Sequence, residues 1–248
     1  MSPDLLTVVI VVAACWGAVT GTLLPRAAYR FSAPSGEAWR DRCSGGAHPV
    51  RGWLGRARCG QCPADEASYG SGPAVLAVVT ALVCAALAAA TGTRPEVAVW
   101  LLLAPACVLL AVVDLRVRRL PDPLTLPLAG AALVLLGLTA LVPEHAGEWT
   151  TALLGALALG AGYLVLFLIN PAGMGFGDVK LALGAGAVLG WYGWATVMLG
   201  TFAGFLLGAL YGGALVVARR AGRRTAIPFG PFLIAGVFLG VLAGAYAA

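Results

Sequence analysis

The chain has 248 residues, of which 60% are hydrophobic and only 11% charged, and its formal net charge is +5. A soluble domain carries about 25% charged residues, so the composition excludes a large soluble core and points to a polytopic membrane protein. The basic excess is almost all arginine and falls in short polar segments between apolar ones, a distribution that suits a lipid surface better than nucleic acid; no nucleic-acid partner is expected.

In chain order, apolar segments lie at roughly 4–24, 72–91, 97–113, 123–142, 149–169, 179–192, 194–217 and 227–247. Each is read as a membrane helix from its length and hydropathy. The fold class expected is an all-α polytopic membrane protein of about eight transmembrane helices, with a small cytoplasmic loop after the first span. The first segment lacks a basic start and a small-residue cleavage site, so it is read as a retained span and not as a signal peptide. The sixth is short and rich in glycine, and is read as a tilted or partly re-entrant helix. Many glycines and alanines throughout suit close helix–helix approach in lipid.

The organisation expected is a first transmembrane helix at 1–24, a cysteine-bearing loop at 25–71 and a membrane domain at 72–248. The loop carries Arg26, Arg30, Arg40, Arg42, Arg51, Arg56 and Arg58, with Trp39 and Trp53 as candidate interfacial anchors. Arg116, Arg118 and Arg119 follow the third span, Lys180 follows the fifth, and Arg219, Arg220, Arg223 and Arg224 follow the seventh. All of the 16 basic residues except Arg94 thus fall on one side of the eight-span arrangement. Basic loops stay in the cytoplasm. Both termini are then expected outside, with the loop of Glu144, His145 and Glu148.

Two acids stand out in this frame. Asp114 lies where the third apolar segment meets the Arg116–Arg119 turn. Asp178 closes Gly173-Met174-Gly175-Phe176-Gly177-Asp178-Val179-Lys180. Ionisable residues at membrane segments are costly and mark functional sites. Both fall on the cytoplasmic side at similar depth. A carboxylate pair sharing one proton can hydrolyse a peptide: the ionised member takes a proton from water and the protonated member polarises the carbonyl. Plainer roles exist for each. Asp114 can pair with Arg116 or Arg118, and Asp178 can serve as the N-cap of the sixth helix. Asp122, followed by Pro123, reads as the N-cap of the fourth helix. Gly175 and Gly177 are read as allowing a tight turn and close approach of a substrate strand.

Four stretches, in this order, resemble the bacterial type IV prepilin peptidases, membrane aspartyl proteases of the Gly-x-Gly-Asp class. They are Gly17 to Leu24 with Arg30, the Asp114 loop through Leu120-Pro121-Asp122 to Pro127, Gly173 to Leu181, and Ile227-Pro228-Phe229-Gly230-Pro231-Phe232-Leu233. The resemblance covers most of the chain. It implies Asp114 and Asp178 as the catalytic pair, Gly175 and Gly177 as supporting motif positions, and Lys180 as a motif residue that biases the pair or anchors the helix at the headgroups. It implies prepilin or pseudopilin precursors as substrates in a bacterial inner membrane, cut at the cytoplasmic face without a metal in the chemistry. Presenilin-like proteases share Gly-x-Gly-Asp, but here Val113 precedes Asp114 and the last motif reads Pro228-Phe229-Gly230-Pro231, which favours the prepilin type.

Cys15, Cys84 and Cys107 lie in spans and are read as small apolar packers. Cys59-Gly-Gln-Cys62 has zinc-knuckle spacing. Many bacterial members of the resembled family carry two such pairs here, consistent with a structural zinc, whereas this chain has only Cys43 in place of the first pair. His48 can complete a tentative zinc set of Cys43, His48, Cys59 and Cys62; the alternative is a decayed site with free thiols. In the family this loop accompanies methylation of the new N-terminus from S-adenosylmethionine, an activity left open by the incomplete pattern. The alternative for the whole chain is a transporter or channel component using Asp114 and Asp178 as proton or ion sites, although no paired broken helices support it.

Overall fold

A computed structural model describes residues 3–63, 66–171, 173–218 and 227–248. Among them are eight helices: α1 (Pro3–Phe31), α2 (Pro73–Thr91), α3 (Glu96–Val117), α4 (Asp122–Thr139), α5 (Trp149–Ile169), α6 (Phe176–Gly190), α7 (Trp194–Val217) and α8 (Gly230–Ala247). Seven are long and apolar enough to cross a membrane. The exception is α6, with 15 residues, in keeping with the short sixth segment expected. Outside the helices, the described residues form only the isolated bridges Arg42–Pro49 and Arg58–Ser68. Arg219, Arg220, Arg223 and Arg224, part of the charge pattern, lie outside the described residues.

The chain divides into two compact units, Met1–Thr93 with Trp100–Arg119, and Arg94–Val99 with Leu120–Ala248. In the first unit α1 packs on α2 through Gly17 and Gly21, spaced as Gly-x-x-x-Gly. A Cβ at either would come within 2.5 Å of the Thr80 carbonyl or 2.6 Å of the Leu76 carbonyl. Trp16 Nε1 donates to the Leu101 carbonyl at 2.8 Å and ties α1 to α3. In the second unit the same device recurs. Gly155 on α5 faces Gly186 and Gly190 on α6, and Gly200 and Gly204 on α7 face Gly236 and Gly240 on α8. Helices in lipid gain nothing from excluding water, so small residues that bring backbones into dispersion contact supply the attraction.

Helix ends differ from the hydropathic boundaries for local reasons. The first span continues through Pro25 to Phe31 because Ala27, Ala28, Tyr29 and Phe31 are buried. Arg26 and Arg30 in the same stretch donate to the carbonyls of Arg51 and Gly52 at 2.9 and 2.7 Å. The third helix runs on past residue 113 to Val117, so Asp114 sits inside its last turn. Arg118 N–H then donates to the Asp114 carbonyl at 2.8 Å. The sixth helix begins at Phe176, three residues earlier than apolarity suggests.

The segment after α1 folds around Tyr29, Cys43, Ala57 and Tyr69, with Val50, Cys59 and Cys62 packed against them. Tyr29 OH donates to the Arg42 carbonyl at 2.8 Å, and Tyr69 meets Tyr29 edge-on at 4.7 Å. So small an apolar cluster is weak by itself and calls for a further staple.

Candidate functional site

Asp114 and Asp178 are both buried, with relative exposures of 4% and 7%. They belong to different units, Asp114 to the first and Asp178 to the second. Burying a charged acid is costly unless it is paired and hydrogen-bonded, and among the described acids Glu96 alone shares this burial.

Asp178 is not the N-cap of α6. Gly175 holds that position in an extended conformation (φ −75°, ψ 142°), and Asp178 is the third helical residue. Its Oδ2 accepts the Gly175 N–H at 3.2 Å, while Asp178 N–H donates to the Gly175 carbonyl at 3.0 Å. The side chain thus takes the acidic half of a capping box, where the helix macrodipole favours negative charge. Neither motif glycine adopts a left-handed φ. A Cβ on Gly175 would approach Asp178 Oδ2 to 3.3 Å, and one on Gly177 would come 2.9 Å from the Leu120 Cβ. They keep space beside the carboxylate and let the start of α6 pack on the residue before Pro121.

Asp122 is likewise not an N-cap. It is the first residue of α4, and Pro121 precedes it as the cap, with no side-chain capping bond. Its Oδ2 pairs with Lys180 Nζ at 2.7 Å, and Lys180 also lies 4.9 Å over the Phe176 ring. The one lysine of the chain therefore ties the start of α6 to the start of α4, within the same unit. Sequence reading missed this pair. The signal available was a lone lysine two residues after one aspartate, with a second aspartate, Asp122, read only as a helix cap.

Around Asp114 the turn is held by arginines. Arg118 takes φ 52°, a left-handed conformation that costs a residue with a Cβ roughly 1–2 kcal/mol. Arg116 and Arg119, either side of it, both reach polar groups of the 32–72 segment.

Cys43, His48, Cys59 and Cys62 converge, with one donor atom from each within 4.8 Å of all the others. His48 Nδ1 lies 3.8, 3.6 and 3.4 Å from the sulfurs of Cys43, Cys59 and Cys62, and the Cys43 and Cys62 sulfurs are 3.6 Å apart. Ordinary zinc bond lengths in a tetrahedron require about 3.8 Å between sulfurs and about 3.6 Å between sulfur and nitrogen. The four side chains therefore fit a zinc ion, and His48 takes the place of the missing fourth cysteine. The Gly46 backbone N–H lowers the Cys43 thiol to about 6, whereas burial, then the neighbouring thiols, push Cys62 up to about 12. One thiol is thus ready as thiolate at neutral pH, and another would release its proton on binding a cation.

Comparison with known proteins gives the family of the chain. Residues 101–213, which contain both aspartates, match the type IV leader peptidase family. The chain is 38% identical over 186 residues to a prepilin leader peptidase/N-methyltransferase of Escherichia coli (strain K12), covering 69% of this chain and 74% of the relative. It is 30% identical over 218 residues to the protein of that name from Pseudomonas putida, covering 82% and 72%. With the Aeromonas salmonicida (strain A449) protein of that name it shares 35% identity over 206 residues, 79% of this chain but 66% of the relative's length. No solved structure matches. With the expected motifs in place and this coverage of its relatives, the chain belongs to the type IV leader peptidase family.

Proposed function

We propose that this protein is a membrane aspartyl endopeptidase that removes the leader of type IV prepilin-like or pseudopilin precursors at the cytoplasmic membrane face. The observation that carries the reading is the burial of Asp114 and Asp178 at helix ends inside the two motifs that define the resemblance. The substrate is a short basic leader followed by an apolar helix; the helix lies in the bilayer and leaves the junction at the surface. In the chemistry one carboxylate takes a proton from water, the water oxygen bonds to the scissile carbonyl carbon, and the other acid gives its proton to the carbonyl oxygen. The C–N bond then breaks as the amine takes a proton from one acid and a hydroxyl of the diol gives its proton to the other carboxylate, which restores the shared-proton state. Gly175 holds the Asp178 carboxylate through its N–H, Gly177 lets α6 start close against Leu120, and the Asp122–Lys180 pair ties the start of α6 to that of α4.

Cys43, His48, Cys59 and Cys62 hold a structural zinc in this reading, which staples the small loop core. Relatives are named as N-methyltransferases as well. If this chain keeps that activity, S-adenosylmethionine supplies the methyl group after cleavage.

The test is cleavage of a prepilin peptide in liposomes by wild type, Asp114→Asn and Asp178→Asn, with the product N-terminus read by mass spectrometry. Wild type is expected to cut at the leader junction. The two folded variants should fall by about a thousandfold or more. The added mass of a single methyl group when S-adenosylmethionine is present establishes the second activity. Variants that cut as well as wild type would remove the aspartyl pair and bring the ion-pathway alternative forward.

A further inference from the structure

Two arginines beyond Asp114 bind the loop that follows α1. Arg116 Nη2 donates to Ser71 Oγ at 2.5 Å. Arg119 Nη1 donates to the Pro34 carbonyl at 3.0 Å and lies 3.5 Å from those of Ala33 and Glu37. The Arg119 guanidinium also stacks 4.2 Å over the Trp39 ring. Trp39 meets Phe31 edge-on at 5.1 Å, Phe31 lies 4.6 Å from Trp53, and Arg30 covers Trp53 at 4.0 Å. The stack therefore runs from the turn after Asp114 through the loop and back to the end of α1, all inside one compact unit.

This arrangement has a local purpose. Arg118 stands in the left-handed region with no glycine to ease it, and its N–H closes the last turn of α3 on the Asp114 carbonyl. A strained turn persists only where its surroundings over-determine it. Here Arg119, next to Arg118, and Arg116, two residues before it, are the anchored ones. Cation–π stacking and several carbonyl acceptors suit a guanidinium, which offers a planar face and a fork of donors at once.

We infer that Arg119, stacked on Trp39, is a positioning residue for Asp114, and that the segment after α1 acts as a splint for the catalytic turn. Trp39, read from sequence as an interfacial anchor, serves here as the platform for that arginine. The inference rests on the reading of Asp114 as catalytic. Its consequence is that the orientation of the carboxylate, and not substrate affinity, depends on the loop.

The experiment compares Arg119→Ala, Arg119→Lys, Trp39→Phe and Asp114→Asn in the full-length protein in liposomes, with steady-state cleavage of a prepilin peptide and hydrogen exchange. Arg119→Ala is expected to lower kcat about tenfold with KM changed less than about twofold, as misorientation of a reacting group does. Exchange should rise at residues 114–119 and stay as in wild type over α5 and α6. Arg119→Lys, which keeps a cation and a donor but neither the planar face nor the fork, should recover kcat part of the way from the alanine variant toward wild type. Trp39→Phe keeps a smaller aromatic face, and should give an intermediate kcat with the same local exchange even if the alanine variant fails to fold. Unchanged kcat and exchange in Arg119→Ala would overturn the inference. So would exchange raised along the whole chain with no recovery by lysine, which is general destabilisation. If Asp114→Asn cuts normally, the assignment of Asp114 itself falls, and the positioning role falls with it.

Discussion

Asp122 illustrates how little a charge pair on a surface need contribute to chemistry. Its side chain is 60% exposed, and although it meets Lys180 at 2.7 Å, exposed pairs contribute about 0–1 kcal/mol. Asp122→Asn is therefore expected to keep cleavage within about threefold of wild type, in contrast to the loss in Asp114→Asn and Asp178→Asn; parallel kinetics on the three variants check this. Gly175→Ala should sit between these limits. Its Cβ would crowd Asp178 Oδ2 at 3.3 Å without disturbing an extended backbone that any residue adopts, and a lower kcat in an otherwise stable protein is the expected result. At this scale both aspartates were legible as acids stranded at membrane segments. What was not legible was which helix position each holds. Asp178 as the third residue of α6 and Asp122 as the first of α4 follow from backbone geometry that one-letter motifs do not encode.

Helix pairs in both units meet through glycine, and their tolerance of extra volume follows. A Cβ on Gly155 would stand 2.5 Å from the Gly186 carbonyl oxygen, so the helices must separate to admit a side chain. Gly155→Val should destabilise the protein by about 1–3 kcal/mol, the usual cost of overpacking, read as a lower melting temperature in detergent. Gly162 has nothing within 4 Å of such a Cβ, so Gly162→Ala serves as the silent control on the same helix. Abundant glycine was visible in the composition, but composition alone does not pair residues. The Gly17/Gly21 step on α1 acquires its meaning only when Thr80 and Leu76 of α2 are found against it. Another element-level feature was hidden from hydropathy. Glu96, at the start of α3, is fully buried; its Oε1 lies 3.8 Å from Arg94 Nε and accepts the Ala146 N–H at 3.4 Å. Glu96→Ala would leave these donors without their acceptor, at a cost of about 1–3 kcal/mol, measured in the same melting assay.

For the molecule as a whole, the loop metal and the membrane orientation are the testable properties. Purified protein is expected to carry about one zinc per chain by elemental analysis, since four donors complete a structural site. His48→Ala should lose most of it and His48→Cys should retain it. Chelation should lower the melting temperature and expose the loop thiols, because the apolar cluster around Tyr29, Cys43, Ala57 and Tyr69 is small. After chelation, a membrane-impermeant maleimide should label Cys59 and Cys62 only in inverted vesicles, if arginine distribution sets the topology. The sequence by itself determined the membrane class, the number and order of the helices found among the described residues, and the two aspartates proposed here as the catalytic pair. Those properties are additive along the chain: a run of apolar residues is costly in water wherever it lies, and a lone acid at its end stands out without reference to anything distant. The tertiary structure decided that His48 joins three cysteines, that Lys180 serves Asp122, and that Arg119 rests on Trp39. These depend on residues far apart in the chain meeting within a few ångströms, and short-range contacts of this kind are set by how the backbone folds and not by any local pattern.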